Sequence, residues 1–165
     1  MRPIVSVFLS FLLLCLSMAS QGESEAESEI LGVYEAWRTA VEAGNIEGYV
    51  AVLHPDIALR PPGVPGLNGR DNYADFLGPV FATATYEITI DNPPAVAVLG
   101  DTAVVEYDYT ILRHPTPGAT GTLAPGALVA VKTSAHYIDV VAKDGAGKWK
   151  VRLHSWQDWP EGPPQ

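Results

Sequence analysis

The chain has 165 residues and a net charge of −9, with 47% apolar and 18% charged residues. That is the length of one ordinary domain, and it is too apolar for a chain disordered throughout or a collagen-like one. Ten Lys and Arg against nineteen Asp and Glu argue against binding to nucleic acid or an anionic membrane surface, and a single cysteine excludes an intrachain disulfide.

Arg2 precedes an apolar run from Ile4 to Leu16, followed by Ser17-Met18-Ala19. A short apolar run ending in small residues predicts a secretory signal peptide over 1–19, and hence a secreted or periplasmic protein. The run is shorter than the about twenty residues that span a bilayer. An uncleaved anchor is the rival reading. Leu14 stands where a small residue would precede a lipidated Cys15. Cleavage after Ala19 removes that cysteine, and with it thiol catalysis and thiolate metal sites.

Residues 20–29 form an acidic spacer with Glu23, Glu25, Glu27 and Glu29. Their charge suits the positive end of a following helix. Ile30, Tyr34, Trp37 and Val41 recur at helical spacing. Gly44 ends that helix and Asn45 caps the next, whose stripe is Ile46, Tyr49, Val50 and Leu53. His54-Pro55-Asp56 breaks it. A short strand from Ile57 to Arg60 ends at Pro61-Pro62-Gly63. Tyr73, Phe76, Leu77 and Val80 mark a third helix, with Pro79 at its end or at a kink.

From Thr83 the apolar period becomes two. Tyr86, Ile88 and Ile90 alternate with Thr85, Glu87 and Thr89, as on a half-buried strand. Asp91-Asn92-Pro93-Pro94 interrupts that strand. Ala95–Leu99 turns through Gly100-Asp101 into a long strand from Thr102 to Arg113. A Pro/Gly/Thr-rich loop covers 114–125. A second long strand covers 126–143, and Asp144–Gly147 turns it into a last strand over 148–158. The segment 160–165 is a frayed tail. Helices first and long antiparallel strands after them predict an α+β domain over 30–159. Its sheet curls around the helices, leaving a pocket between the layers.

Tyr34-x-x-Trp37-x-x-Ala40, Ala43-Gly44-Asn45, His54-Pro55-Asp56, Pro61-Pro62-Gly63 and Leu67-Asn68-Gly69-Arg70 follow in one order, then Gly100–Val105 and Asp144-Gly145 before Lys148–Val151. This order resembles the nuclear transport factor two-like superfamily. Its SnoaL-like, ketosteroid isomerase-like and calmodulin-dependent kinase association-domain branches are the nearest. The resemblance implies a cone-shaped curved antiparallel sheet around three N-terminal helices. It also implies a small-molecule pocket and a homodimer formed through the outer sheet face. Isomerase, cyclase and hydrolase chemistry occur on this fold, and so do non-catalytic dimerisation or protein-interaction modules.

The steroid isomerase branch uses a tyrosine donor and a carboxylate base. By position these fall on Trp37 and Pro61. Indole donates but does not exchange protons, and proline does neither. The chain departs from that mechanism at both places.

In the association-domain branch the last two strands turn polar side chains into the pocket. On that pattern His136, Ile138, His154 and Trp156 face inward. A two-residue turn at Gly145-Ala146 would send His136 and His154 to opposite faces. A bulge or odd-length loop, which Gly145 and Gly147 can support, restores one face, and that is the expectation. His136 and His154 are then the candidate catalytic pair, working as a base or hydrogen-bonding pair near neutral pH; polar lining of a solvated mouth is the rival reading.

Tyr107 and Tyr109 share a strand face with Val105, Ile111 and Arg113. By resemblance that face lines the pocket, with core packing as the alternative. With Trp37 and Trp156 they are the candidate ligand-binding residues for a small hydrophobic or aromatic molecule. Arg60, Arg113 and Arg152 can each hold a carboxylate, and Arg113, which abuts the loop, is the one placed to reach a ligand; surface solvation is the rival reading for all three. Glu106 and Asp108 take the opposite face; if the faces are reversed, Asp108 is the acid candidate. The pattern contains no zinc motif, nucleophile elbow or phosphate loop, and implies neither metal nor cofactor.

Overall fold

The computed structural model describes residues 25–159. The segment 1–19 and the tail 160–165 lie outside the described residues. A first helix, α1, covers 25–42, so the acidic segment is helical from residue 25 onward. Gly44 adopts φ +62° just beyond the end of α1, where its amide donates to the Val41 carbonyl at 3.0 Å. Only glycine reaches this left-handed conformation without strain. Asn45 then caps α2 (Ile46–Ala51), its side chain accepting from the Gly48 amide.

The third helix, α3 (Arg70–Thr83), runs through Pro79 rather than stopping there. Pro79 lies on the exposed side, as does Asp75, whose carbonyl loses its helical partner to the proline ring.

Six strands follow or interleave: β1 (Leu53–Arg60), β2 (Leu67–Asn68), β3 (Ala84–Leu99), β4 (Thr102–Pro115), β5 (Lys132–Lys143) and β6 (Trp149–Asp158). They form one sheet in the order β2-β1-β6-β5-β4-β3. The α+β architecture is the expected one. The meander β3 to β6 is antiparallel, and β1 joins it by a parallel pairing with β6, so the sheet is mixed.

Three segments differ from the sequence reading. His54-Pro55-Asp56 lies within β1, where the register with β6 shifts between Leu53 and Ala58 and no ladder bond is required of the proline. Asp91–Pro94 bends β3 through two irregularities without ending it. Its prolines are tolerated because β3 is an edge strand. Residues 126–131 stay outside β5, and with 116–125 they make a long strap between β4 and β5.

Helix α1 lies on the inner face of β4 and β5. Tyr34 meets Tyr107 edge-on with centroids 5.0 Å apart, and Trp37 meets Tyr109 at 5.4 Å. Ile30, Val41, Val105 and Val141 complete this buried layer. Helix α3 closes the other end of the concave face through Tyr73, Leu77 and Val80.

Candidate active site

The pairing of β5 with β6 decides which side chains meet. The connecting loop is odd in length, since Lys143 pairs with Trp149 and Val141 with Val151. That register alone would put His136 and His154 on one face. A second irregularity follows at once: Val140 pairs with Leu153, leaving Arg152 as a bulge. It reverses the effect of the first. His154 pairs with Asp139, and His136 pairs with Gln157 on the outer face. The expected His136–His154 pair is therefore not formed, and Ile138 is outward and 46% exposed.

Both ring nitrogens of His136 are engaged outside. Nδ1 lies 2.6 Å from Asp108 Oδ1, and Nε2 lies 3.2 Å from Glu106 Oε1. Asn92 donates to the other Asp108 oxygen. This cluster organises the outer face and has no access to the concave side.

His154 is inside, and it lines a cavity between the sheet and the helices. Its Nδ1 is 3.0 Å from Oδ1 of Asp139, which is fully buried. Oδ2 of Asp139 accepts hydrogen bonds from Tyr34 at 3.0 Å and Tyr107 at 3.1 Å. A buried carboxylate is tolerated when its lone pairs are taken up this way. Burial first, and the negative Asp139 second, push the Tyr34 and Tyr107 hydroxyls well above the usual tyrosine range. Both therefore stay protonated donors at neutral pH.

With Asp139 as acceptor, the His154 proton sits on Nδ1 and the lone pair on Nε2. Among the described residues Nε2 has no hydrogen-bond partner. A histidine oriented by a buried acid, with its ring lining an apolar cavity and its other nitrogen unpartnered, can remove a proton from a bound molecule.

The cavity has a volume of about 70 Å³. Trp37, Tyr49, Tyr73, Tyr109, Tyr137 and Trp156 supply its aromatic walls. Gly126, Ala127 and Leu128 of the strap complete the lining. A cavity that takes benzene measures about 150 Å³, so a ring-sized ligand requires the strap or side chains to give. Two lining residues carry buried polar atoms with no partner among the described residues: Tyr86 Oη and Trp156 Nε1.

Of the residues singled out in the sequence, Trp37, Tyr109, His154 and Trp156 converge on the cavity. Tyr107 stands behind it, stacked on Tyr137 at 5.1 Å and bonded to Asp139. Arg113 is beside the cavity, paired across the strands with Tyr86. Asp139, Tyr34 and Tyr86 were missed as site residues. Asp139 had a usable signal, because it shares strand parity with Tyr137 and Val141. Among the described residues no group of three His, Cys, Asp or Glu side chains is placed to hold a metal ion.

The SnoaL-like domain pattern matches residues 34–150. The chain belongs to the SnoaL-like domain family. A comparison with curated proteins finds no match. Among solved structures, a nuclear transport factor 2-like superfamily protein from Salmonella enterica is similar, with TM-score 0.67 and 19% identity over 87% of this chain and 94% of that one. A candidate scytalone dehydratase from Novosphingobium aromaticivorans gives TM-score 0.66 and 14% identity over 85% and 88%. A ketosteroid isomerase-like protein from Erwinia carotovora atroseptica gives TM-score 0.59 and 21% identity over 80% and 93%. At these identities the likeness is one of fold, and this SnoaL-like domain's chemistry rests on its own residues.

Proposed function

We propose that this SnoaL-like domain binds a small aromatic or cyclic molecule in its cavity and moves a proton on it with His154. The observation that carries the reading is the cavity-lining His154 with Nδ1 on the buried Asp139 carboxylate. Nε2 takes a proton from carbon next to a ligand carbonyl, leaving an enolate and an imidazolium. Return of the proton to another carbon isomerises the ligand. Return to a departing hydroxyl releases water. Asp139 stays anionic and steadies the imidazolium, and the unpartnered Trp156 Nε1 is a donor for ligand oxygen. The candidate dehydratase and the isomerase-like relative are compatible with such proton transfers. Export belongs to the same proposal and rests on the apolar run Ile4–Leu16. So does pairing of two copies through the outer face, where Ile138 is exposed.

The test is solvent deuterium exchange into the methylene groups of 2-indanone, followed by proton NMR. Exchange above the buffer rate is expected. His154→Gln should lower the protein-dependent rate by about 10²-fold or more, the usual scale of a general base, and leave binding in place. Saturable binding with no exchange would reduce the protein to a binding module. Equal rates for variant and parent would remove His154 from the chemistry.

A further inference from the structure

Beside the cavity, and not part of its lining, is a cationic corner at Arg113 that proton transfer by His154 does not use. Arg113 lies on β4, on the same inward face as Tyr109 and Ile111, and pairs with Tyr86 across β3 and β4. Tyr86 and Ile111 line the cavity. The Arg113 Nε is buried without a partner among the described residues, and so is Tyr86 Oη. The remaining contact of the guanidinium is slight: Nη2 approaches Thr83 Oγ1 at 3.4 Å. No described Asp or Glu lies within ion-pair distance of Arg113, in a chain with nineteen acids.

Arg113 and Tyr86 are close. Burial pushes the Tyr86 hydroxyl up, and the Arg113 guanidinium beside it pulls partly back. No well-formed hydrogen bond joins them. Two adjacent buried polar atoms, neither with a well-formed partner, are an unusual pair. A carboxylate answers both, since its two oxygens match the planar fork of arginine and can also accept from a hydroxyl.

The strap covers this corner together with the cavity. The Thr116 amide donates to the Thr83 carbonyl at 2.9 Å, and Gly121 packs on the Thr83 methyl. Further along, Ala127 and Leu128 face the aromatic walls. One cover over both places leaves room for a single ligand to span them.

We propose that Arg113 and Tyr86 form the anion-binding end of the cavity, so that its ligand is an aromatic carboxylic acid. The ring lies among the tyrosines and tryptophans, the carboxylate meets Arg113, and the far edge of the ring approaches His154. The proposal rests on the cavity being a ligand site, and it adds the charge of that ligand.

A matched pair of probes tests it: phenylacetate and its neutral isostere phenylacetamide, titrated by NMR against the full chain. The parent protein should bind the acid about tenfold more tightly than the amide, the scale of one charged hydrogen-bonded contact. Arg113→Gln should remove that preference by weakening the acid alone. Tyr86→Phe should narrow it. If Arg113→Gln fails to fold, Arg113→Lys decides: it keeps the charge without the fork and should narrow the preference, and an unchanged preference overturns the proposal. Equal binding of acid and amide by the parent overturns the anion site and leaves the cavity reading intact. Equal weakening of both probes by Arg113→Gln shows a structural role and also overturns it. Binding of neither probe by the parent overturns the cavity reading, and this proposal with it.

Discussion

Asp139 takes three donors on two oxygens, and one of them fixes the tautomer of His154. Asp139→Asn tests that role at constant volume. The amide oxygen still accepts from Tyr34 and Tyr107. The amide nitrogen, turned toward His154, requires an acceptor at Nδ1 and so moves the ring proton to Nε2. The variant should fold and bind 2-indanone, and its exchange rate should fall by about 10²–10⁴-fold, as for the loss of an orienting acid elsewhere. Parallel thermal melts and exchange assays check this. A parent-like rate would show that Asp139 serves the core and not the chemistry. Sequence alone revealed half of this site. His154 and Trp156, two residues apart on one strand, must share a face whatever the pairing. Asp139 was harder to read, because an acid in a strand ordinarily marks the solvent side. Its neighbours Tyr137 and Val141, at the same parity, mark the core.

At the scale of elements, local signals and register had different fates. Gly44-Asn45 placed the α1–α2 junction through conformational needs that one or two residues settle. The β5–β6 register depended on two single-residue shifts, an odd loop and a bulge at Arg152. Each shift reverses the faces, so anticipating one of them gave the wrong partner for His154. The strap was misread for another reason. Ala127–Val131 is apolar enough for a strand, yet Ala127 and Leu128 serve as a cover while Val129 and Val131 are exposed, the Val131 carbonyl accepting from the Arg113 amide of β4 at 2.8 Å. Gly126 holds that cover against the β1–β2 connection. Its φ is +91°, and a Cβ there would fall 2.9 Å from Pro61 Cγ. Gly126→Val should push the strap off Pro61 at a local cost of about 1–3 kcal/mol. Amide hydrogen exchange should quicken by about five- to a hundredfold over 116–131, the range that this cost spans at about 1.4 kcal/mol per factor of ten, and stay unchanged in β4 and β5. Uniform acceleration through the sheet would mean that the strap is integral to the core.

The whole molecule was legible as an α+β domain because, after one short strand among the helices, the apolar period turns from helical to alternating near Thr83 and stays so. Its function was not legible, since a fold of this kind serves several chemistries and also non-catalytic roles, and the residues that differ sit inside. Filling that interior with aromatic hydroxyls has a consequence for stability. All seven tyrosines have raised pKa values, with burial the first cause in every case. Tyr34, Tyr73, Tyr107, Tyr109 and Tyr137 are shifted furthest. The native state keeps these hydroxyls protonated, whereas the unfolded chain releases its protons near the ordinary tyrosine value of about 10. Above that pH the unfolded state binds fewer protons, so stability falls as pH rises. It is intact below about pH 10 and is lost on the way to the higher folded values. Each fully shifted tyrosine contributes a slope of about 1.4 kcal/mol per pH unit. Five acting together would exhaust a typical margin of about 5–15 kcal/mol within a few units. The transition should therefore be steep and cooperative. Tyrosinate absorbance should appear together with loss of the circular dichroism signal, not before it. Tyrosinate forming near pH 10 in a chain that keeps its native spectrum would show that these hydroxyls reach water, and the buried aromatic packing would have to be redrawn.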